Sequence, residues 1–132
     1  MFTEFEINVK DGLYHGLFTE KYNNGQLRSQ LNYAHGVMHG AQQGWHYNGQ
    51  LSYSYKAKKG TPVGEYKEYF PSGQLQINKR YEAGKVVKNK IYNIDGRVIA
   101  NYLIKDGRTY GLMGSSTCIT VLNEKEELTN EN

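Results

Sequence analysis

The sequence predicts an all-β chain, an elongated antiparallel meander of tandem β-hairpin repeats about 24 residues long. Three observations predict it: phased glycines, turn motifs that recur in step with them, and strands whose apolar residues alternate with polar ones. Asn24-Gly25-Gln26-Leu27 returns as Asn48-Gly49-Gln50-Leu51, as Ser72-Gly73-Gln74-Leu75 and, more loosely, as Asp95-Gly96-Arg97-Val98. A second series runs Gly12, Gly36, Gly60, Gly84, Gly107, and a third runs Gly16, Gly40, Gly64, with Gly111 four residues after Gly107. Chance does not phase three series, and internal periods of this length mark stacked repeats.

The Asn-Gly pairs read as hairpin turns of type I′, whose two central residues need positive φ. The Gly-x-x-x-Gly segments, such as Gly36 to Gly40, read as links to the next hairpin, where a side chain would clash at positive φ. Between these signals the residues alternate with period two, as half-buried strands do. Leu51, Tyr53, Tyr55 and Ala57 form one face and Ser52, Ser54, Lys56 and Lys58 the other. Leu75, Ile77 and Tyr81 continue the apolar face, as do Val98, Ala100, Tyr102 and Ile104, and Leu27, Leu31 and Tyr33 begin it. Lys79 interrupts it, with a stem that can pack while the ammonium reaches water. Roughly ten short strands result, with contacts mainly between neighbouring repeats.

The chain divides into a repeat domain over 1–122 and a polar acidic tail over 123–132. The repeats run about 12–35, 36–59, 60–83 and 84–106, followed by a cap over 107–122 that breaks the pattern. The tail is expected to be disordered. Cap and tail would shield a terminal strand from pairing with other chains.

Composition bounds the function. Of 132 residues only 38% are apolar, so a large core is not expected, while 12 Tyr and 15 Gly suit short strands and turns. The net charge of +3 is unevenly placed: residues 1–55 carry −1, residues 56–108 carry +7 and the remainder carries −3. The middle of the chain is therefore suited to acidic partners. No apolar run approaches the roughly 20 residues a membrane helix needs. The first residues do not form a signal peptide, which points to the cytoplasm unless a leader was trimmed.

The strand before each turn ends in bulky residues: Tyr22, Trp45-His46, Tyr69-Phe70 and Tyr92. Large rigid rings are favoured anchors for protein partners, which makes Tyr22, Trp45, Tyr47, Tyr69 and Phe70 candidate contact residues. Packing between repeats is the competing reading for each. Lys56, Lys58, Lys59, Lys85, Lys88 and Lys90 mark two basic turn regions that could meet an anionic membrane surface.

Chemistry-bearing residues form no catalytic pattern. His15 and His39 share a repeat position, and with His35 they could approach one another, but Val63 takes that place in the third repeat. Cys118, the single cysteine, precludes an intrachain disulfide. Nothing places a base or a strong second ligand beside it, although Met113 would make a soft pair, so a small buried apolar residue is its plain reading. Glu65 and Glu68 fall on opposite faces of one strand. No phosphate-loop, Gly-x-Ser-x-Gly or zinc spacing occurs. No enzyme, no metal and no cofactor are therefore expected. Nucleic acid is also not expected, because the rings interleaved with Lys continue an apolar face and read as packing.

Gly64, Tyr69, Phe70, Gly73, Gln74 and Leu75, followed by Tyr81 to Lys85, resemble the MORN repeat variant, whose proteins are often labelled YwqK-type antitoxins. The likeness covers about residues 12–111. It implies a long sheet of tandem hairpins with a grooved face. It also implies binding to a protein, such as a toxin or effector, or to a membrane surface, rather than catalysis. Two departures stand out: Gln43-Gly44-Trp45-His46 replaces the usual paired rings, and Lys88 stands where earlier repeats have Gly.

Overall fold

The computed structural model describes residues 2–112 and 118–123, with side chains described for 6–111. Fourteen strands are seen among them: β1 (Phe2–Glu6), β2 (Val9–Lys10), β3 (Leu13–Tyr14), β4 (Gly16–Tyr22), β5 (Leu27–Ala34), β6 (Val37–Met38), β7 (Gly40–Trp45), β8 (Leu51–Lys58), β9 (Thr61–Tyr69), β10 (Leu75–Glu82), β11 (Lys85–Tyr92), β12 (Val98–Lys105), β13 (Arg108–Leu112) and β14 (Cys118–Asn123). Eleven of them follow one another in an open antiparallel sheet, β1-β4-β5-β7-β8-β9-β10-β11-β12-β13-β14, with β6 also on β5, while β2 and β3 pair as a separate hairpin. The expected all-β meander is what the chain forms.

The turn types differ from the sequence reading. Type I′ turns occupy the other glycine series, at Asp11-Gly12, His35-Gly36, Lys59-Gly60, Ala83-Gly84 and Asp106-Gly107. There both central residues have positive φ, 50–55° for the first and 78–87° for the glycine. The Asn-Gly motifs instead close three-residue loops. The amide of Gly25 donates to the Tyr22 carbonyl, and the amide of Tyr22 donates to the Gln26 carbonyl. Only the glycine has positive φ in these loops. This is a type I turn followed by a glycine bulge. Three residues lie between the paired positions, so a two-residue turn is excluded. Asn24 serves the loop with its side chain, whose Oδ1 accepts the Gln26 amide at 2.9 Å, and Asn48 does the same for Gln50. The two turn kinds alternate, so each collects along its own edge of the sheet.

The strand count also exceeds expectation. The first two repeats break at His15 and His39, just before Gly16 and Gly40, whose φ values are 92° and 105°. The amides of His15 and His39 donate to the Asn8 and Asn32 carbonyls. Asn8 and Asn32 lie 24 residues apart, so the repeat begins before residue 12, in a stretch the glycine series did not reach. In the third repeat β9 runs through Gly64 without a break. In the fourth, Lys88 holds the matching place without positive φ, and a register shift between Arg80 and Tyr81 absorbs the difference.

Over the residues expected to form the cap, the meander continues by two strands. β13 pairs with β12 and β14 with β13. The disorder expected of the tail falls on residues 124–132, outside the described residues, as does Met113; of Cys118 only the backbone is described.

No second layer covers the sheet among the described residues. Only Ala57 and Ala100 are buried apolar residues there, and Ser29, Gln42 and Thr109 are the buried polar ones. The apolar face is therefore a ring-covered surface rather than the packed interior that the alternation suggested.

Candidate partner-binding surface

The alternating residues of β8 to β10 place a run of tyrosines on one face. Tyr53 and Tyr55 are 6.1 Å apart between ring centres, Tyr55 and Tyr66 5.2 Å, and Tyr66 and Tyr81 6.2 Å. These tilted and edge-on contacts suit the quadrupoles of the rings. A second cluster, Tyr14, Phe18 and Tyr33, lies towards the first strands. The Tyr55 hydroxyl reaches the Met38 sulfur at 3.5 Å. The Lys79 ammonium lies against the rings, with Nζ 4.7 Å from the Tyr66 ring centre and 5.5 Å from that of Tyr81. It is held by cation–π attraction within the face.

The tyrosines are half-buried without a covering layer. Burial raises the hydroxyl pKa of Tyr53, Tyr55 and Tyr66 above the ordinary value of 10.0. For Tyr66 the bond to Glu68, at 2.9 Å, and the charge of Glu68 push in the same direction. The fold thus favours the neutral phenols. Their contribution to stability is complete below about pH 10 and is lost as pH rises through the folded-state values. Thermal unfolding should show stability falling above about pH 10, less steeply in Tyr66→Phe. An identical pH dependence in that variant would contradict the assignment.

The five candidate contact rings lie elsewhere, along the edge of the three-residue loops. Tyr22, His46 and Phe70, not Trp45, are the equivalent residues, each opening its loop by the same backbone bond. Tyr22 donates its hydroxyl to the Trp45 carbonyl at 2.7 Å, and His46 Nε2 sits 2.8 Å from the Tyr69 carbonyl. These side chains are rungs from one repeat to the next. Tyr47 is 55% exposed, packs edge-on against Tyr22 at 5.2 Å, and donates to Asn23. Tyr22, Asn23, Arg28 and Tyr47 line a depression of about 350 Å³. Trp45, Tyr69 and Phe70 are half-buried.

The six basic candidates separate. Lys58, Lys59 and Lys85 sit at the type I′ edge, where Lys58 pairs with Thr61 and Lys85 with Glu82. Lys56, Lys88 and Lys90 lie on the polar face, opposite the tyrosines. Lys56 borders a hollow of about 600 Å³ with Ala41, Gln43, Ser54, Val63 and Glu65. Lys88 and Lys90 border another of about 360 Å³ with Asn78, Arg80 and Asn101.

His15 meets His35, not His39, at 5.3 Å between ring centres. His15 Nδ1 faces the His35 amide at 3.4 Å, and His39 Nδ1 faces the Lys59 amide at the same distance. Both histidines therefore serve the next repeat's turn. No group of three or more His, Cys, Asp or Glu that could hold a metal occurs among the described residues. Glu65 and Glu68 are separated, Glu65 bonding Arg80 and Glu68 bonding Tyr66. No helix among the described residues is long and apolar enough to cross a membrane.

The family profile of the MORN repeat variant matches residues 14–35 and 62–83. The two matches are two repeat lengths apart and pass over the repeat that carries Gln43-Gly44-Trp45-His46. Comparison with curated proteins gives no match. Among solved structures, the crystal structure of accessory secretory protein 1, 2 and 3 in Streptococcus pneumoniae is similar over 80% of this chain at 14% identity, with a TM-score of 0.30. The chain spans 18% of the length of that structure's chain.

Proposed function

We propose that this chain, two stretches of which match the MORN repeat variant, is a binding module that recognises a protein partner through the tyrosine face of its sheet. The observation that supports this most is the run Tyr53, Tyr55, Tyr66 and Tyr81, half-buried and uncovered among the described residues. Tyrosine supplies large contact area with little loss of side-chain freedom, and an apolar area of this kind rimmed by polar groups suits association. An antitoxin or immunity role is the finer form of the reading, the partner then being a toxic protein encoded beside the chain's gene.

The test is calorimetric titration of the adjacent gene product. Tyr66→Ala should weaken binding by more than tenfold, the range of an interface anchor, while Tyr47→Ala on the loop edge should leave it within about threefold. Full binding by a folded Tyr66→Ala variant would remove the face from this role. The alternative, attachment to an anionic membrane surface, draws support from Lys58, Lys59 and Lys85 on one edge. It requires binding of the wild-type chain to phosphatidylserine vesicles that added salt abolishes.

A further inference from the structure

The polar face between β9 and β12 combines features that the tyrosine face does not explain. β10, β11 and β12 bring two rows of side chains across the sheet. Asn78 faces Lys90, which faces Asn101, and one step away Glu65 faces Arg80, which faces Lys88. The rows border the 360 Å³ hollow. Arg80 is held sideways by both neighbouring carboxylates, Nη1 at 3.1 Å from Glu65 and Nε at 3.3 Å from Glu82. Lys88 and Lys90 form no ion pair among the described residues, and Lys90 Nζ stands 5.6 Å from the Tyr92 ring centre. The side-chain amides of Asn78 and Asn101 likewise make no hydrogen bond among the described residues.

Glu65 and Glu82 offset the charge of Arg80, whereas Lys88, directly opposite it, and Lys90 keep theirs uncompensated among the described residues. A carboxylate above Lys88 would pair with it. The other row offers an ammonium flanked by two amides, donors enough for both oxygens of a second carboxylate. Residues two apart on a strand are about 6.6 Å apart, so the rows match alternate side chains of an extended chain. A compact anion such as phosphate would engage only one row.

We propose that Lys88, Lys90, Arg80, Asn78 and Asn101 form a second docking site, for an extended acidic segment with carboxylates two residues apart. The proposal rests on the reading of the chain as a protein-binding module and specifies part of what it binds. Specificity comes from row spacing, and attraction comes from the two uncompensated lysines.

Fluorescence anisotropy with a labelled alternating Glu-Ser peptide, and a Gln-Ser peptide as control, tests it at low and physiological salt. The Glu-Ser peptide should bind and the Gln-Ser peptide should not. Lys88→Gln/Lys90→Gln should weaken binding at least tenfold, with a flatter salt dependence. Tyr66→Ala, on the opposite face, should leave peptide binding unchanged. Equal binding by the double variant would overturn the proposal, as would displacement of the peptide by inorganic phosphate or phosphatidylserine vesicles at matched charge. A chain that ignores the Glu-Ser peptide but loses its protein partner through Tyr66→Ala would end this proposal and leave the tyrosine face standing.

Discussion

Replacing Gly111 by alanine should destabilise the sheet by about 3 kcal/mol, the sum of overpacking and left-handed strain. Gly111 pairs with Tyr102 on one side and Ile119 on the other, so it joins the last strands. A Cβ there would run into the Asn101 carbonyl oxygen and come within 2.9 Å of the Tyr102 Cα. Both are backbone atoms and cannot swing away. The φ of +126° adds strain for any L side chain. Gly64→Ala is the control: its φ is +73° but nothing lies within 4 Å of the added carbon. It should cost about 1 kcal/mol, the left-handed backbone penalty alone. Urea unfolding of both variants reads the difference, and equal costs would contradict the close approach.

Gln42→Leu should cost about 2 kcal/mol, chiefly from the Asn32 amide left unpaired. Gln42 is fully buried, at 0% exposure. Its Oε1 accepts the Asn32 amide at 3.0 Å, and its Nε2 donates to the Asn32 carbonyl at 2.9 Å and the Gly40 carbonyl at 3.2 Å. The backbone pairing of β5 with β7 extends only over Ser29 with Gly44 and Gln30 with Gln43. Between those pairs and the β5–β6 pairs at Tyr33 and Ala34, the side-chain amide bridges the gap. Leucine fills the volume but leaves the Asn32 amide without a partner, while the Asn32 carbonyl keeps the His39 amide. Amide exchange should quicken at Asn32 first, and an unchanged Asn32 amide would show that the glutamine is not what closes this gap.

Both effects bear on what a sequence discloses. The repeat was legible because positive φ restricts its positions to glycine and a few others. The same glycines did not disclose loop length, so the type I′ turns were expected at Asn24-Gly25 and occur at Lys59-Gly60. Counting residues between the paired bulky positions, three from Tyr22 to Gln26, would have found the difference. The matching of Asn8 with Asn32 was also readable, as a spacing of 24 without a glycine. Gln42 was not, because its role depends on where two strands part. The tyrosines were placed on one face by period two, but alternation cannot say whether a second layer covers that face. The hollow beside Lys88 depends on cross-strand register, which bulges at Gly64 and near Lys88 reset.

The central claim is that the tyrosine face receives the partner while the loop edge binds repeats together. Side-chain NMR of the chain with tyrosine rings labelled, recorded with and without the adjacent gene product, tests it most directly. Recognition through this face predicts that Tyr55, Tyr66 and Tyr81 shift and lose solvent contact while Tyr47 keeps its free-state signal. Saturating partner that moves Tyr22 and Tyr47 and leaves Tyr66 where it was would contradict it.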